Sequence, residues 1–369
     1  MADLHKPAFL QYSVGAGTFD GWPDGDEKVA RTPDEIDVAD NGRSHDIKAA
    51  TVTQPRLEHW IYALVTLQGL AHYNVQYDGS ARLFASNGDR VNCTYAPGRD
   101  WSSRFRRDVS VALSKIDELA YLLGLSTGGG QPLAWTLGRD NAPSFRALHP
   151  MFIEAPRCVR FVRSDDSTVA MRARPGHLKF AEGAVLCRDL WQPTKTKKAK
   201  GEVACYGTTA SDGFGYGVLK DLLFCTGSVT SGALAVDERR PGDRFFVASV
   251  LRRDPGDKGK SKGYAEAWIE IPERFNRHSE PDLWAAALRC GEQRVQAAAV
   301  ARDDVLAPAL RKLQQAGKEK TMYDAKPVAP WLALLDEAVH AEFFAALWCA
   351  VDLDPDTAQA TWGRWLFEQ

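Results

Sequence analysis

Between Leu251 and Tyr264 the chain carries five basic residues, Arg252, Arg253, Lys258, Lys260 and Lys262, against two acidic ones, Asp254 and Asp257. Lysine and arginine at this density neutralise the phosphates of a polyanion without reading its sequence. Pro255, Gly256, Gly259 and Gly263 keep the stretch out of helix and strand interiors. On either side lie Phe245 to Val250 and Ala265 to Pro272, the second alternating polar and apolar as a half-buried strand does. The spacing predicts a hairpin with a cationic tip, where the backbone and the lysines can reach a polyanion. Taken alone, the loop reads better as a solvated turn that stays soluble because it is charged. Lys195, Lys197, Lys198 and Lys200 form a second basic run, and Arg104, Arg106 and Arg107 a third.

Catalytic groupings are absent from the pattern. Ser44, His45 and Asp46 are triad residue types, but sequence neighbours rarely point at one another as a triad requires, and a turn is the better reading. His72, His149, His177, His278 and His340 lie far apart, without the two-histidine helical spacing of a zinc hydrolase. Glu337 and Glu342 flank His340 as a solvated helix face would. Gly128 to Gln131 is not followed by the Lys-Ser/Thr pair of a phosphate-binding loop. Gly213, Gly215 and Gly217 have no strand–helix–strand context, which leaves a close backbone approach as their explanation. No metal or cofactor is expected, and the chain reads as a binding or scaffold protein. The alternative is a metal-dependent nuclease with carboxylates dispersed over the β-rich region; an interaction protein without a nucleic-acid role is a third reading.

The elements that must hold these loops follow from periodicity. A helix is expected from about Pro55 to Gly69, with Leu57, Trp60, Ile61, Leu64, Val65 and Leu67 as its apolar face. A second is expected from about Arg104 to Leu123, with Val109, Leu113, Ile116, Leu119 and Leu123 as its apolar face and either Gly124 or the Gly128 to Gly130 run as its stop. From Met151 to Ile271 short β-branched and aromatic runs predict strands, with helical spacing only near Gly217 to Leu223. After Arg274 the chain is helical. Ser279 and Asp282 read as a capping box; Trp284 to Ala298, Val305 to Leu313 and Trp331 to Ala350 follow, and Asp354-Pro355 opens a last helix. The fold class is α+β, a mixed N-terminal domain with an irregular β-rich region (1–275) followed by a C-terminal four-helix bundle (276–369).

At 369 residues and a formal net charge of -2, the chain cannot be a generally basic nucleic-acid coat, so any polyanion site is a local patch. No stretch approaches the length of a membrane helix, and the N-terminus lacks a signal-peptide profile. The seven cysteines are scattered and make no Cys-x-x-Cys pair, which suits buried thiols in a reducing cytoplasm.

Several segments, in order along the chain, resemble the CasA family, the large subunit of the type I-E CRISPR Cascade complex. Lys6 to Gln11 is similar to that family's Pro-x-Phe-Leu-Gln segment. Ser44 to Lys48, and the helix ending in Thr66, Leu67 and Gln68, resemble its His-Asp and Thr-Leu-Gln elements. Leu148 to Arg160 resembles the stretch leading into its Pro-Arg-Arg-x-Arg element, and Leu190 to Pro193 its Leu-Trp-x-Pro segment. Lys258 to Tyr264 resembles its hairpin, and the last quarter its four-helix bundle.

The resemblance implies a non-catalytic protein that binds target double-stranded DNA at the protospacer-adjacent motif and wedges it open. The implied partners are the subunits of a CRISPR RNA-containing effector complex and a recruited helicase-nuclease, in antiviral defence, with no membrane. Three elements carry the implied contacts. The segment after Gln68 offers His72, Asn74, Gln76 and Tyr77, where the family has a glycine-rich loop. The Leu-Trp-x-Pro segment is followed by Lys195, Lys197 and Lys198. The wedge spans Arg252 to Lys262, and Lys258 stands about where the family carries a glutamine, whose paired hydrogen bonds a lysine cannot make. Family members carry a longer region ahead of the Pro-x-Phe-Leu-Gln segment, so the chain is expected to be a compact variant or to have that part supplied by another subunit.

Overall fold

The computed structural model describes residues 4–14, 29–37, 52, 54–69, 91–125, 129–136, 145–153, 155, 157–163, 169–173, 191–196, 203–205, 214–227, 229–230, 239–253, 261–315 and 328–369. Strands and helices both contribute, and the chain is α+β. Among the described residues the strands are β1 (Val29–Ala30), β2 (Val91–Ala96), β3 (Gln131–Leu133), β4 (Leu148–Ile153), β5 (Val159–Arg163), β6 (Val169–Ala173), β7 (Thr194–Thr196), β8 (Val203–Cys205), β9 (Val229–Thr230), β10 (Phe245–Arg253) and β11 (Ser261–Glu270). The helices are α1 (Leu57–Gly69), α2 (Trp101–Ser114), α3 (Ile116–Leu123), α4 (Tyr216–Phe224), α5 (Pro281–Ala299), α6 (Ala307–Gln315), α7 (Ala329–Ala350) and α8 (Pro355–Glu368).

The strands form small sheets in the orders β1-β6-β5, β11-β10-β2 and β8-β7-β9, with β3 and β4 paired in parallel. The second sheet organises the molecule. β10 is its central strand, antiparallel to β11 on one side and β2 on the other, so Val250 pairs with both Ala265 and Val91. Alternation divides its side chains between two layers. Phe246, Ala248, Val250, Ile269, Val91, Cys93 and Tyr95 face a core shared with α4, α5, α7 and α8. Phe245, Val247, Trp268 and Ala96 form the opposite layer. A separate core gathers Leu10, Tyr12 and Val14 with Trp60, Leu64 and Leu67 of α1 and Val159 and Met171 of β5 and β6.

Several local expectations hold. α1 ends at Gly69, Gly124 adopts the left-handed conformation (φ 65°) that stops α3, and α4 covers the stretch expected to be helical near Gly217 to Leu223. Asp354 caps α8 by accepting a hydrogen bond from the Thr357 N–H at 2.9 Å, with Pro355 in the first turn.

Others are corrected. The expected helix from Arg104 to Leu123 begins earlier, capped by Asp100 on the Ser103 N–H at 2.8 Å, and breaks at Lys115 into α2 and α3. Its inward residues include Arg107 and Val111, while Val109 and Leu113 are exposed, because buried ion pairs turn the arginine face toward the sheet. Pro281 occupies the first turn of α5 and moves the cap to Glu280, so the Ser279–Asp282 box does not form. Asn276 Oδ1 instead accepts from the His278 N–H at 2.9 Å. Gly215 and Gly217 are not close approaches: an added Cβ would meet nothing within 4 Å at the first and only Val295 Cγ1 at 3.8 Å at the second. Closer approaches occur at Gly291, where a Cβ would lie 3.0 Å from Leu347 Cδ1 and 3.3 Å from Lys220 Cγ, and at Gly130, where it would run into the Leu148 backbone.

The helices expected at Trp284 to Ala298 and Val305 to Leu313 are one rod. α5 continues into α6 through a π-helical segment, Val300–Leu306. Pro308 explains the widened turns: it has no N–H for the Asp304 carbonyl, and its ring crowds that carbonyl in a regular α-helix. The Ala307 N–H accordingly reaches back five residues to the Arg302 carbonyl. Arg302 in turn pairs with Asp336 of α7 at 2.9 Å. α4 packs on α5 and α7, and α8 on α5, so the helices after Arg274 pack with α4, which precedes them in sequence.

Among the described cysteines, Cys93 and Cys158 are buried, Cys225 and Cys290 half-buried and Cys349 exposed. No described helix is long and apolar enough to cross a membrane. No group of three or more His, Cys, Asp or Glu residues arranged to hold a metal occurs among the described residues.

Candidate nucleic-acid interface

The β11-β10-β2 sheet joins the segments that the basic runs and the resemblance single out. β10 runs toward the cationic tip and ends at Arg253, which pairs with Ser261 at the start of β11. Arg252 and Arg253 thus stand on the outgoing strand, and Ser261 and Lys262 on the returning one. Lys258 and Lys260 lie between them, outside the described residues. A register shift between Leu251 and Arg253 marks a bulge, which twists a hairpin just before its tip.

Residues 70–90, which include His72, Asn74, Gln76 and Tyr77, lie outside the described residues. Both of their anchors are described. Upstream, α1 ends in a buried polar network. Gln68 Nε2 donates to the Leu10 carbonyl at 3.0 Å and the Arg157 carbonyl at 2.9 Å, and Gln68 Oε1 accepts from the Arg157 N–H at 2.9 Å. Arg157 Nη1 donates to the Leu67 carbonyl at 2.9 Å. Arg160 Nη1 reaches the Lys6 carbonyl at 3.0 Å, and the Phe161 N–H donates to Gln11 Oε1 at 2.8 Å. Gln11, Gln68, Arg157 and Arg160 are all buried, so each such bond spares a desolvated polar group. Downstream, the chain re-enters at Val91, beside Val250 and only three residues before Arg253. The antiparallel register therefore places Val91, the first described residue after them, at the tip end of β10.

The third segment meets the same sheet on its other side. The Cys93 N–H on the outer edge of β2 donates to the Trp191 carbonyl at 3.1 Å, and four residues further Lys195 stands exposed on β7. Lys197 and Lys198 lie outside the described residues, as do Ser44, His45 and Asp46.

No family model matches the sequence, and neither does any curated protein. Solved structures do match in fold. CasA (Cse1) of Thermus thermophilus superposes with a TM-score of 0.58 at 14% identity, over 98% of this chain and 72% of that one. Cse1 of Acidimicrobium ferrooxidans gives 0.52 at 12% identity, over 94% and 70%. Cse1 of Thermobifida fusca gives 0.51 at 11% identity, over 92% and 68%. The chain has a CasA-like fold.

Within this CasA-like fold, the electrostatics around the sheet separate structural cations from available ones. The third basic run is largely committed. Arg107 is buried, its Nη2 lying 3.1 Å from Asp243 Oδ2 with both side chains almost wholly shielded, and its Nη1 donates to Thr94 Oγ1. Arg104 Nη1 lies 2.8 Å from Glu266 Oε1 on β11. Of the three arginines only Arg106 is exposed.

Desolvation opposes ionisation of Glu266, but hydrogen bonds from Arg104, Trp268 Nε1 (2.8 Å) and Tyr264 Oη (3.0 Å) outweigh it and lower its pKa. The α2-facing layer is interleaved with arginines: Arg99 lies 5.3 Å from the Phe245 ring centre, Arg104 5.7 Å from Trp268 and Arg244 5.7 Å from Phe245. These contacts stiffen the base of the hairpin on which the cationic tip is carried. Sequence reasoning missed this layer and the Arg107–Asp243 pair, whose partners lie 136 residues apart. Asp243, beside Gly242 in a turn, carries no periodic signal.

Proposed function

We propose that the chain is the large subunit of a type I CRISPR RNA-guided surveillance complex, binding target double-stranded DNA at the protospacer-adjacent motif and helping to open it. One observation carries the reading: the hairpin, the end of residues 70–90 and the segment from Trp191 to Lys195 all attach to a single sheet. In this reading residues 1–275 recognise DNA and residues 276–369 form the helical part. The protein is not itself an enzyme, and a recruited helicase-nuclease cuts the DNA.

The contacts are His72, Asn74, Gln76 and Tyr77 on one side of the hairpin, Lys195, Lys197 and Lys198 on the other, and Arg252, Arg253, Lys258, Lys260, Ser261 and Lys262 on the hairpin itself. Lysines hold the backbone phosphates. Amide, imidazole and phenol groups suit the degenerate minor-groove pattern, and guide pairing supplies the remaining specificity. The rigid hairpin base transmits the push of the tip into the duplex.

Fluorescence anisotropy of a labelled duplex tests the reading. The isolated chain should bind weakly, with affinity falling steeply as salt rises, and a guide-RNA complex containing it should bind only duplexes bearing the motif. Motif-independent binding by the assembled complex would count against it. Magnesium-dependent cleavage of the duplex by the chain alone would point instead to a nuclease.

A further inference from the structure

β11 is an edge strand of its sheet among the described residues, and its outer side borders a cleft of about 790 Å³ facing α7. Six consecutive residues, Ala265 to Glu270, line that cleft. A pleated strand turns alternate side chains to opposite faces, so a cleft on one face would touch every second residue. Contact along all six makes the main-chain edge itself the wall. Glu266 agrees: the residue as a whole is exposed although its side chain is only 26% exposed, so the remaining exposure lies in its main chain.

The register shows which groups face out. The Ile271 N–H donates to the Arg244 carbonyl at 2.8 Å, so Ile269, Ala267 and Ala265 turn their N–H and C=O groups toward β10. Glu266, Trp268 and Glu270 turn theirs into the cleft. The Glu270 carbonyl is met there by Trp348 Nε1 at 2.9 Å, which closes that end and leaves the Glu266 and Trp268 groups facing the open part.

The opposite wall is α7, where Ala341 and Ala345 leave room beside Phe344 and Trp348. The two carboxylates of the cleft are already neutralised, Glu266 by its three donors and Glu270 by Arg244 at 2.7 Å. Arg99 at the rim is exposed and has no ion pair among the described residues; it rests over the Phe245 and Trp268 rings. The cleft thus offers one uncompensated positive charge, an aromatic floor and a row of strand hydrogen-bonding groups.

We propose that this cleft binds an extended peptide segment of a partner protein as an added strand on β11, with a carboxylate of that segment on Arg99 and an apolar side chain on Phe344 and Trp348. Strand addition matches main-chain N–H and C=O groups that recur every two residues. A nucleic-acid strand could place a phosphate on Arg99, but it carries no such repeat. This surface is separate from the cationic tip and does not depend on the DNA-binding reading.

Hydrogen exchange of the full chain, with and without the probe acetyl-Thr-Val-Thr-Asp-Val-Thr-amide, tests the proposal. The peptide should slow exchange at the Glu266 and Trp268 amides about tenfold, as one added strand bond predicts. Arg99→Glu should abolish that protection and transfer it to the same peptide with Lys in place of Asp. Absence of protection by either peptide overturns the proposal, as does protection that Arg99→Glu leaves unchanged. Stronger protection of the same amides by a single-stranded oligonucleotide would reassign the cleft to nucleic acid.

Discussion

Arg104 and Arg107 stand one turn apart on α2, and each ends on a carboxylate of the hairpin sheet or the turn leading into it. Charge density alone marks them as a basic patch, yet packing uses them to clamp a helix to a sheet. Breaking a buried pair leaves an uncompensated charge. Arg107→Ala or Asp243→Ala should therefore lower stability by about 3–5 kcal/mol in urea unfolding, far more than an exposed pair would. Glu266 gives a second residue-scale expectation. Its folded pKa is depressed, so the unfolded chain binds more protons as pH falls toward the ordinary glutamate range. Its contribution is present above the unfolded pKa and is lost as pH falls through the lower folded value. Urea midpoints measured across the acid range should fall less steeply for Glu266→Gln than for the parent chain.

At the scale of elements, a buried polar network fixes the end of α1. Gln68 bonds three main-chain groups of residues that are distant in sequence. Gln68→Leu keeps the helix propensity but leaves those groups unpaired in the interior, which should cost about 3 kcal/mol. The melting temperature should drop and duplex affinity should weaken with it, although no cationic residue has changed.

This network also explains part of what the sequence made legible. Gln11, Gln68, Arg157 and Arg160 belong to the segments that carry the resemblance, and their polar side chains are legible because buried polar groups have narrow requirements. Helix ends at Gly124 and Asp354 follow local rules that the sequence displays, whereas the cap at Asp100 lies ahead of the apolar spacing that marks the helix. The inward turn of α2 was not legible, because Val109 and Leu113 form a good apolar stripe on a helix whose orientation is decided by Arg107. Likewise, Trp284 to Ala298 and Val305 to Leu313 read as two helices, whereas a π segment carries one rod through.

For the whole molecule, the α+β class and the helical end of the chain were readable from the change in hydrophobic period after Arg274. The attachment of Val91, the hairpin strands and Trp191 to one sheet was not, because strand order is a long-range property that periodicity does not encode. In the proposed reading that sheet carries the DNA-facing surface, with Lys258, Lys260 and Lys262 on the hairpin as its cationic part. The direct test is duplex affinity as a function of salt for guide-loaded complexes containing either the parent chain or the Lys258→Ala, Lys260→Ala, Lys262→Ala variant. The account predicts weaker binding and a log–log salt slope shallower by about 0.9 for each phosphate that the variant no longer neutralises. Equal affinity with an equal slope would contradict it.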